Sequence, residues 1–508
     1  MSSSQVDTTY GKIEGEQHDL CCVFRGIPFA APPIGPLRFC APRPPEPWHG
    51  VRSALSFGPA AAQGTSKVPG MEALGPKSED CLYLNVFTPA PDGKKRPVMF
   101  WIHGGAFKLG TASAPIYDGT RLAMRGDVVV VTTNYRLGAF GYLSLNDHGG
   151  ASFGASANCG QLDQIAALRW VQDNIERFGG DPGNVTIFGE SAGGMAVATL
   201  LCMPAAHGLF HRAISQSGAA SFTTKPAQAA ELTGRLLTRL GIKHGDAARL
   251  RELSVEDIID AHEHVGADLG LRSGLGPVAD GDTLPDQPGA LIAARKAAEV
   301  PIIVGTNRDE MNLFNAARLR DLDSPMADDE AARIVQLFVP GLSNERASAL
   351  LETYRSSRIA EQLPSSNRVL LNALQGDAMF RIPSLRFTEA YAKVQPATYS
   401  YLFTYQSPAM RGALGACHAL ELAFMFGTLD SPYQDRFCGT GPEVEGLSHV
   451  MMDAWLAHAR HASPSTAALA WPRYDAVERP TMVFDKPSRV ELAPLDAERA
   501  AWEGIPLR

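Results

Sequence analysis

Residues 185–194 constrain this chain more than any other stretch. Val185–Phe188 is a short strand-like run, Gly189-Glu190-Ser191-Ala192-Gly193 follows at once, and small apolar residues suited to a helix come next. A serine on a sharp turn between strand and helix projects its hydroxyl above the end of the sheet. The backbones on either side then pass so close that glycine is needed two positions before and after it. The helix starting beneath the serine also favours negative charge nearby. The plain alternative is a glycine-rich turn between strand and helix, and the strand–turn–helix context favours the nucleophile. Ser191 is the candidate nucleophile, and the Ala192 N–H a candidate donor to a developing oxyanion.

The surrounding sequence supplies the sheet that such a turn requires. Val98–Ile102 is apolar and ends in His103-Gly104-Gly105-Ala106-Phe107; Val128–Thr133 carries four valines in a row and reads as a central buried strand. Leu162–Phe178 has apolar residues at helical spacing and stops at Gly179-Gly180-Asp181-Pro182. Val300–Val304 leads into Gly305-Thr306-Asn307-Arg308-Asp309-Glu310, and Tyr399–Phe403 is a further strand candidate. Strands alternating with helices predict an α/β fold with a central, mostly parallel, twisted sheet flanked by helices. Two charged stretches without strand candidates, around 226–275 and 327–372, read as helical insertions that cap the active site of a single domain spanning 1–508. The glycines of the 103–107 loop let backbone approach a substrate closely, so Gly104 and Gly105 are the other candidate oxyanion donors.

A serine nucleophile needs a base, and the base an acid to orient it. On a turn of this type the chain order is serine, acid, histidine. Only His418, His449, His458 and His461 lie beyond both Ser191 and Glu310. His458 and His461 fall in a helical His-Ala-Arg-His stretch that reads as a solvated face, and His449 falls in the same helical region. His418 follows a loop of small residues, Gly412–Cys417, and is expected on an exposed, mobile seat. It is the candidate base. Asp309 and Glu310 are both candidate acids just past a strand end, and position alone does not separate them.

Composition narrows the setting. The 508 residues are 45% hydrophobic and 20% charged, with a net charge of -8, which gives no basic footprint for nucleic acid. No stretch approaches the apolar length of a membrane span, and the N-terminus carries no secretory pattern. The eight cysteines are dispersed without zinc spacing, so they read as reduced structural thiols of a cytoplasmic protein. His262-Glu263-His264 lacks metal-ligand spacing and reads as a helix surface. No metal or cofactor is expected.

Several longer motifs carry a family resemblance over nearly the whole chain. They are Gly26–Ala30 with Pro32–Phe39, Ser78–Asn85, His103–Phe107, Asn134–Gly138, Phe188–Gly194, Gly415–Glu421 and Trp471–Tyr474. In their order the chain resembles the type-B carboxylesterases, which include bacterial p-nitrobenzyl esterases, liver carboxylesterases and the cholinesterases. The resemblance implies an α/β-hydrolase fold. It implies a serine hydrolase that cleaves short-to-medium acyl or aryl carboxylic esters through an acyl-enzyme, acting on small molecules as a monomer or small homo-oligomer. It selects Glu310 over Asp309 as the acid and implies that Ser217 supports that carboxylate, with Glu190 beside the nucleophile. It pairs Arg38 with Glu79 and Arg136 with Asp163 as structural ion pairs. Phe107, Met195, Met311 and Phe314 become candidate pocket walls by their nearness to these motifs. An amide or carbamate hydrolase, or an acyltransferase, could use the same triad; a non-catalytic binding protein on the same scaffold is a further alternative, disfavoured by the intact serine and histidine. Three features depart from the family. Met311 stands where glycine usually follows the acid. Ala62 stands where a cysteine would bridge to Cys81. Residues 63–80 contain no aromatic residue to cradle a quaternary ammonium. The bacterial p-nitrobenzyl branch is the nearest in pattern.

Overall fold

The computed structural model describes residues 2–18, 21–66, 75–218, 223–269, 276–321 and 324–507. The chain divides into two compact units. The first comprises Met1–Ser215, Phe222–Pro301 and Ala459–Ala462; the second comprises Gln216–Ser221, Ile302–His458 and Ser463–Arg508.

The centre of the first unit is three strands covered on both faces. Arg96–Ile102 and Val129–Thr133 are buried at every position, as are the last six residues of Gly180–Glu190. Such strands are apolar without alternation, which is why they stand out in the sequence. They pair in parallel, with Ile102 level with Thr133 on one side and with Gly189 on the other. The segments that begin at His103 and at Glu190 therefore leave the sheet side by side, at the carboxyl ends of their strands. Ligands bind at that end in open α/β sheets. The N-terminal edge is antiparallel: Ser2–Asp7, Lys12–Gln17, Cys22–Pro28 and Tyr83–Thr88 pair in that order, and the last joins Val129–Thr133 antiparallel. The parallel core follows the sequence reading, and the antiparallel edge is an addition to it.

The helix expected at 162–178 runs Cys159–Asn174, tightens into a 3-10 turn at Ile175–Phe178 and stops at Gly179, whose φ of 81° is left-handed. Arg136 grips Asp163 with two bonds, from Nε at 2.8 Å and Nη2 at 2.7 Å, and Arg38 holds Glu79 in the same forked way at 2.7 and 2.5 Å. The Arg136–Asp163 pair is fully buried and the Arg38–Glu79 pair nearly so, so removing one partner would strand a charge.

The first expected insertion forms helices Pro226–Arg239 and Val255–Leu269, which close a core of their own with Phe39, Phe140 and Leu143. Residues 270–275 of that stretch lie outside the described residues. One expectation is overturned here. His262 is not on the surface but 6% exposed, because Ile258, Ala261, His262 and Val265 follow i, i+3, i+4, i+7 and share the buried stripe. Its neighbour His264 is exposed.

In the second unit Ile302–Asn307, Thr398–Phe403 and Pro480–Phe484 pair in parallel, and Arg489–Leu492 closes the edge antiparallel. Helices Asp328–Phe338, Asn344–Ala360 and Asn367–Gly376 occupy the second expected insertion and bury Leu350, Leu370 and Leu374 in a core that includes Trp502. The helix Pro442–His461 corrects another reading. His458 is fully buried rather than solvated, since Met451, Trp455 and His458 recur at helical spacing on one face; His461 is exposed as expected. All eight cysteines are unbridged, Cys81 included. Among the described residues no helix is long and apolar enough to cross a membrane.

Candidate active site

In the first unit, Ser191 sits on a turn that only particular residues allow. Its own φ and ψ are 56° and −124°, a strained combination for a side-chain-bearing residue. The helix Ala192–Leu200 starts immediately after it and is buried throughout. A methyl group on Gly193 would stand 2.0 Å from the Ile102 carbonyl oxygen, and one on Gly189 2.6 Å from the same oxygen. Both flanking glycines are thus fixed by the backbone of the neighbouring strand, as the sequence argument requires.

The glycine loop beside it is equally tight. A methyl on Gly104 would lie 2.8 Å from the Glu190 carbonyl oxygen and 3.1 Å from Ser191 Cβ; Gly105 has φ +110°, and a methyl there would meet the Leu109 carbonyl oxygen at 2.1 Å. The loop curls back so that the Gly105 carbonyl accepts the N–H groups of Lys108 and Leu109. Among the described residues no hydrogen bond engages the N–H of Gly104 or Gly105. His103 braces the loop from below. It is buried, its basicity pushed down to about 4 by burial, so the ring is neutral and its Nδ1 is assigned as donor to the Gly104 carbonyl at 2.8 Å. Its ring stacks on Tyr135 at 4.5 Å, whose hydroxyl donates to the His103 carbonyl at 2.8 Å. Glu190 is buried under the turn.

A residue not singled out by the sequence reading anchors the far end of this loop. The buried side-chain amide of Gln63 donates from Nε2 to the Gly110 carbonyl at 2.8 Å and accepts the Gly110 N–H on Oε1 at 2.8 Å. Nothing in the local pattern around Gln63 signals this; the contact closes across 47 residues of chain.

The second unit holds the candidate acid and the candidate base. Glu310 follows the strand Ile302–Asn307 and caps the short helix Met311–Phe314. Its Oε2 lies 2.6 Å from Nδ1 of His418, and its Oε1 accepts the Ser217 hydroxyl at 2.6 Å and the Asn307 N–H at 2.8 Å. Asp309 turns away. It accepts the Ala416 N–H at 3.0 Å and faces Arg308 at 3.1 Å and Arg358 at 3.6 Å. Burial alone would raise the Asp309 carboxyl, but Arg308, Arg358 and the Ala416 N–H outweigh it and hold it below the usual carboxylate range. The geometry thus separates two carboxylates that position alone does not: one faces the imidazole, the other faces arginines.

His418 is not on the exposed seat expected for it; it is only 1% exposed. The loop before it is pinned instead, with Asn307 Nδ2 donating to the Cys417 carbonyl at 2.8 Å and to Glu421 at 2.6 Å. Two phenylalanines flank the imidazole, Phe380 at 4.8 Å and Phe314 at 5.0 Å between ring centres. Phe380 lies on a single π-helical turn, Asp377–Arg381, a feature frequent at functional sites and invisible in sequence.

The four candidate pocket walls have separate places. Phe107 is buried edge-on to Tyr142 at 5.1 Å, and Met195 is buried in the helix after the serine. Met311 is buried at the start of the helix that Glu310 caps, so the side chain at this unusual position is packed rather than projecting. Phe314 is 41% exposed, stacked on Phe380 beside His418.

Comparisons with known proteins give the family and the fold. Residues 2–502 match the model of the carboxylesterase family. The chain is 39% identical to the para-nitrobenzyl esterase of Bacillus subtilis over 98% of both chains. It is 36% identical to a medium-chain fatty acyl-CoA hydrolase precursor of Anas platyrhynchos, over 94% of this chain and 87% of that one. Its fold matches the crystal structure of a Geobacillus stearothermophilus carboxylesterase with a TM-score of 0.86 at 41% identity, covering 98% of this chain and all of the other. That likeness gives the chain an α/β-hydrolase fold.

Proposed function

The chain belongs to the carboxylesterase family and hydrolyses carboxylic esters, and from that premise we propose that Ser191 is its nucleophile, His418 its base and Glu310 the acid that orients the imidazole. The observation that carries the assignment is the Glu310 carboxylate, whose one oxygen meets His418 Nδ1 at 2.6 Å while the other is held by Ser217 and Asn307. That contact fixes the tautomer that leaves Nε2 to take a proton, and stabilises the imidazolium that results.

In this reading His418 removes the Ser191 proton as Oγ attacks the ester carbonyl carbon. The negative charge that develops on the carbonyl oxygen is met by the N–H groups of Gly104, Gly105 and Ala192. The imidazolium returns its proton to the departing alcohol, leaving an acyl-serine. Water, deprotonated by the same imidazole, then attacks the acyl carbon, and the acid leaves as Ser191 regains its proton. The strained serine turn and the unengaged glycine N–H groups support this reading, because both are held in place before any substrate arrives.

The substrates we propose are short-to-medium acyl or aryl esters, in keeping with the para-nitrobenzyl and medium-chain names of the relatives. Phe107, Met195, Met311 and Phe314 are proposed to wall the site, with the insertions at 226–275 and 327–372 shaping its entrance. The unbroken family match over residues 2–502 supports one catalytic domain. The eight free thiols support a reducing, cytoplasmic setting, and the net charge of -8 supports a small-molecule rather than a nucleic-acid partner. Monomer or small homo-oligomer is the state proposed.

The test is hydrolysis of p-nitrophenyl acetate through octanoate by the wild type and by Ser191→Ala, with folding checked by circular dichroism. We expect turnover by the wild type and a fall of at least about three orders of magnitude in the variant. A folded Ser191→Ala protein that keeps its activity would overturn the nucleophile assignment.

A further inference from the structure

Behind the glycine loop, wholly within the first unit, lies a cavity of about 390 Å³. Small-molecule sites run from about 300 to 1,000 Å³, so this is room for part of a ligand. Lys108 and Leu109 of the loop form one wall. Gly138 forms another, and its N–H donates to the Phe107 carbonyl at 2.7 Å, so the wall of the cavity and the loop that ends at Gly110 are one hydrogen-bonded structure. Phe140 and Ile259 make much of the remaining lining apolar.

Among the described residues, a buried imidazole on this lining has no partner. The ring of His262 borders the cavity, is 6% exposed and makes no hydrogen bond; its Nε2 is sealed in the protein, so Nδ1, the nitrogen beside Gly138, is the one open to a guest. Burial, helped by the nearby Lys108 charge, pushes its basicity down to about 3. At neutral pH the imidazole is therefore uncharged, with one N–H to donate and one lone pair to accept. Buried polar side chains are nearly always satisfied, and an orphan on a cavity wall calls for an explanation. Gly138 keeps the approach to the ring clear, since a methyl there would crowd His262 Nδ1 at 3.3 Å. Lys108 and Glu263 also border the cavity with opposite charges, so its lining as a whole favours an uncharged guest.

We propose that this cavity is a subsite for the part of the ester remote from the scissile bond, and that His262 selects chains ending in an uncharged oxygen, a hydroxyl or carbonyl, over chains ending in a methyl. The inference rests on the hydrolytic reading above, because it needs the reacting carbonyl to sit at the glycine loop. A site with a buried hydrogen-bonding group discriminates against the analogue that leaves that group unpaired, whereas an apolar pocket alone discriminates weakly.

The experiment compares kcat/KM for matched pairs: p-nitrophenyl hexanoate against p-nitrophenyl 6-hydroxyhexanoate, and hexyl acetate against 6-hydroxyhexyl acetate. The wild type, His262→Leu and His262→Gln are measured on all four. We expect the hydroxyl-to-methyl ratio in one pair to fall about tenfold in His262→Leu and to recover in His262→Gln, which restores a donor and an acceptor. Ratios unchanged in both pairs, or an equal fall on all four esters, would overturn the subsite. So would a wild-type preference for a carboxylate-ended chain over the hydroxyl-ended one. The hydrolytic reading is tested apart from this by Ser191→Ala on the same four esters: undiminished activity there overturns both, whereas its loss with flat ratios overturns the subsite alone.

Discussion

At the scale of single residues, the two adjacent carboxylates divide the labour, and their environments state how. Glu310 faces His418, whereas Asp309 is locked between Arg308, Arg358 and the Ala416 N–H. Changing Glu310 to Gln keeps the shape but removes the charge that the proposed imidazolium needs. We expect kcat on p-nitrophenyl acetate to fall about 10³–10⁴-fold with the fold intact. Asp309→Asn should instead lower stability by about 2–3 kcal/mol, because it leaves two partly buried guanidinium groups under-compensated, and reduce kcat far less. The pH sense of that contribution follows from the direction of the shift. A carboxyl held below its ordinary 3.8 stabilises the fold fully above that value, and the contribution is lost as pH falls from there through the lowered folded-state value. Urea midpoints for both variants between pH 7 and 3 check this; an Asp309→Asn protein as stable as the wild type at pH 7 would contradict it. Local position alone does not separate these two residues and only the family resemblance picks Glu310, since adjacent positions just past a strand end differ only in where each side chain turns, and the geometry that distinguishes them comes from a loop more than 100 residues away.

At the scale of elements, the legible parts are those whose local sequence dictates their geometry. The buried strands declare themselves by β-branched runs, and the serine turn by glycines that the Ile102 carbonyl would otherwise strike. What stayed hidden depends on contacts between distant segments. The polar neighbours of His262 and His458 point to solvated surfaces, although helical spacing puts each on an apolar stripe. The π-helical turn that brings Phe380 against His418 has no sequence signal, and neither does the grip of Gln63 on Gly110. That grip has a consequence for the whole glycine loop. At its far end the reciprocal amide pair grips Gly110, and a methyl on Gly110 would stand 2.6 Å from the Gly104 carbonyl oxygen, so the held residue backs directly onto a proposed oxyanion donor. Gln63→Leu keeps the volume and removes both bonds. We expect kcat on p-nitrophenyl acetate to fall about tenfold, with KM changed less than about twofold, as for a loss felt mainly in the transition state. An unchanged kcat, or a loss expressed only in KM, would show that Gln63 does not position the loop.

At the scale of the whole molecule, stability and catalysis draw on different buried charges, and pH separates them. The second unit contains a network in which Arg381 donates to Asp377 at 2.8 Å and to Glu498 at 2.9 Å, while Tyr354 bonds Asp377 and receives the Trp502 indole N–H at 2.7 Å. It lies on the same π-helical turn as Phe380, so the packing that flanks His418 is continuous with it. Burial pushes the Glu498 carboxyl up from 4.5 to about 7, with the Asp377 charge adding to the rise and Arg381 opposing it. A carboxyl raised in the folded state binds its proton more tightly there than in the unfolded chain. Between pH 4.5 and 7 the folded state therefore carries more protons, and stability falls as pH rises through that window. One pKa unit corresponds to about 1.4 kcal/mol, so the full effect is on the order of 3 kcal/mol. Glu498→Gln has no proton to lose and should flatten this part of the curve. Urea unfolding from pH 4.5 to 7.5 tests it: the wild type should lose stability relative to the variant as pH rises, and parallel curves would refute the shift. The pH profile of ester hydrolysis, governed by the proposed base, should keep its shape in Glu498→Gln, because Glu498 acts on the packing behind His418 and takes no part in the proposed proton transfer.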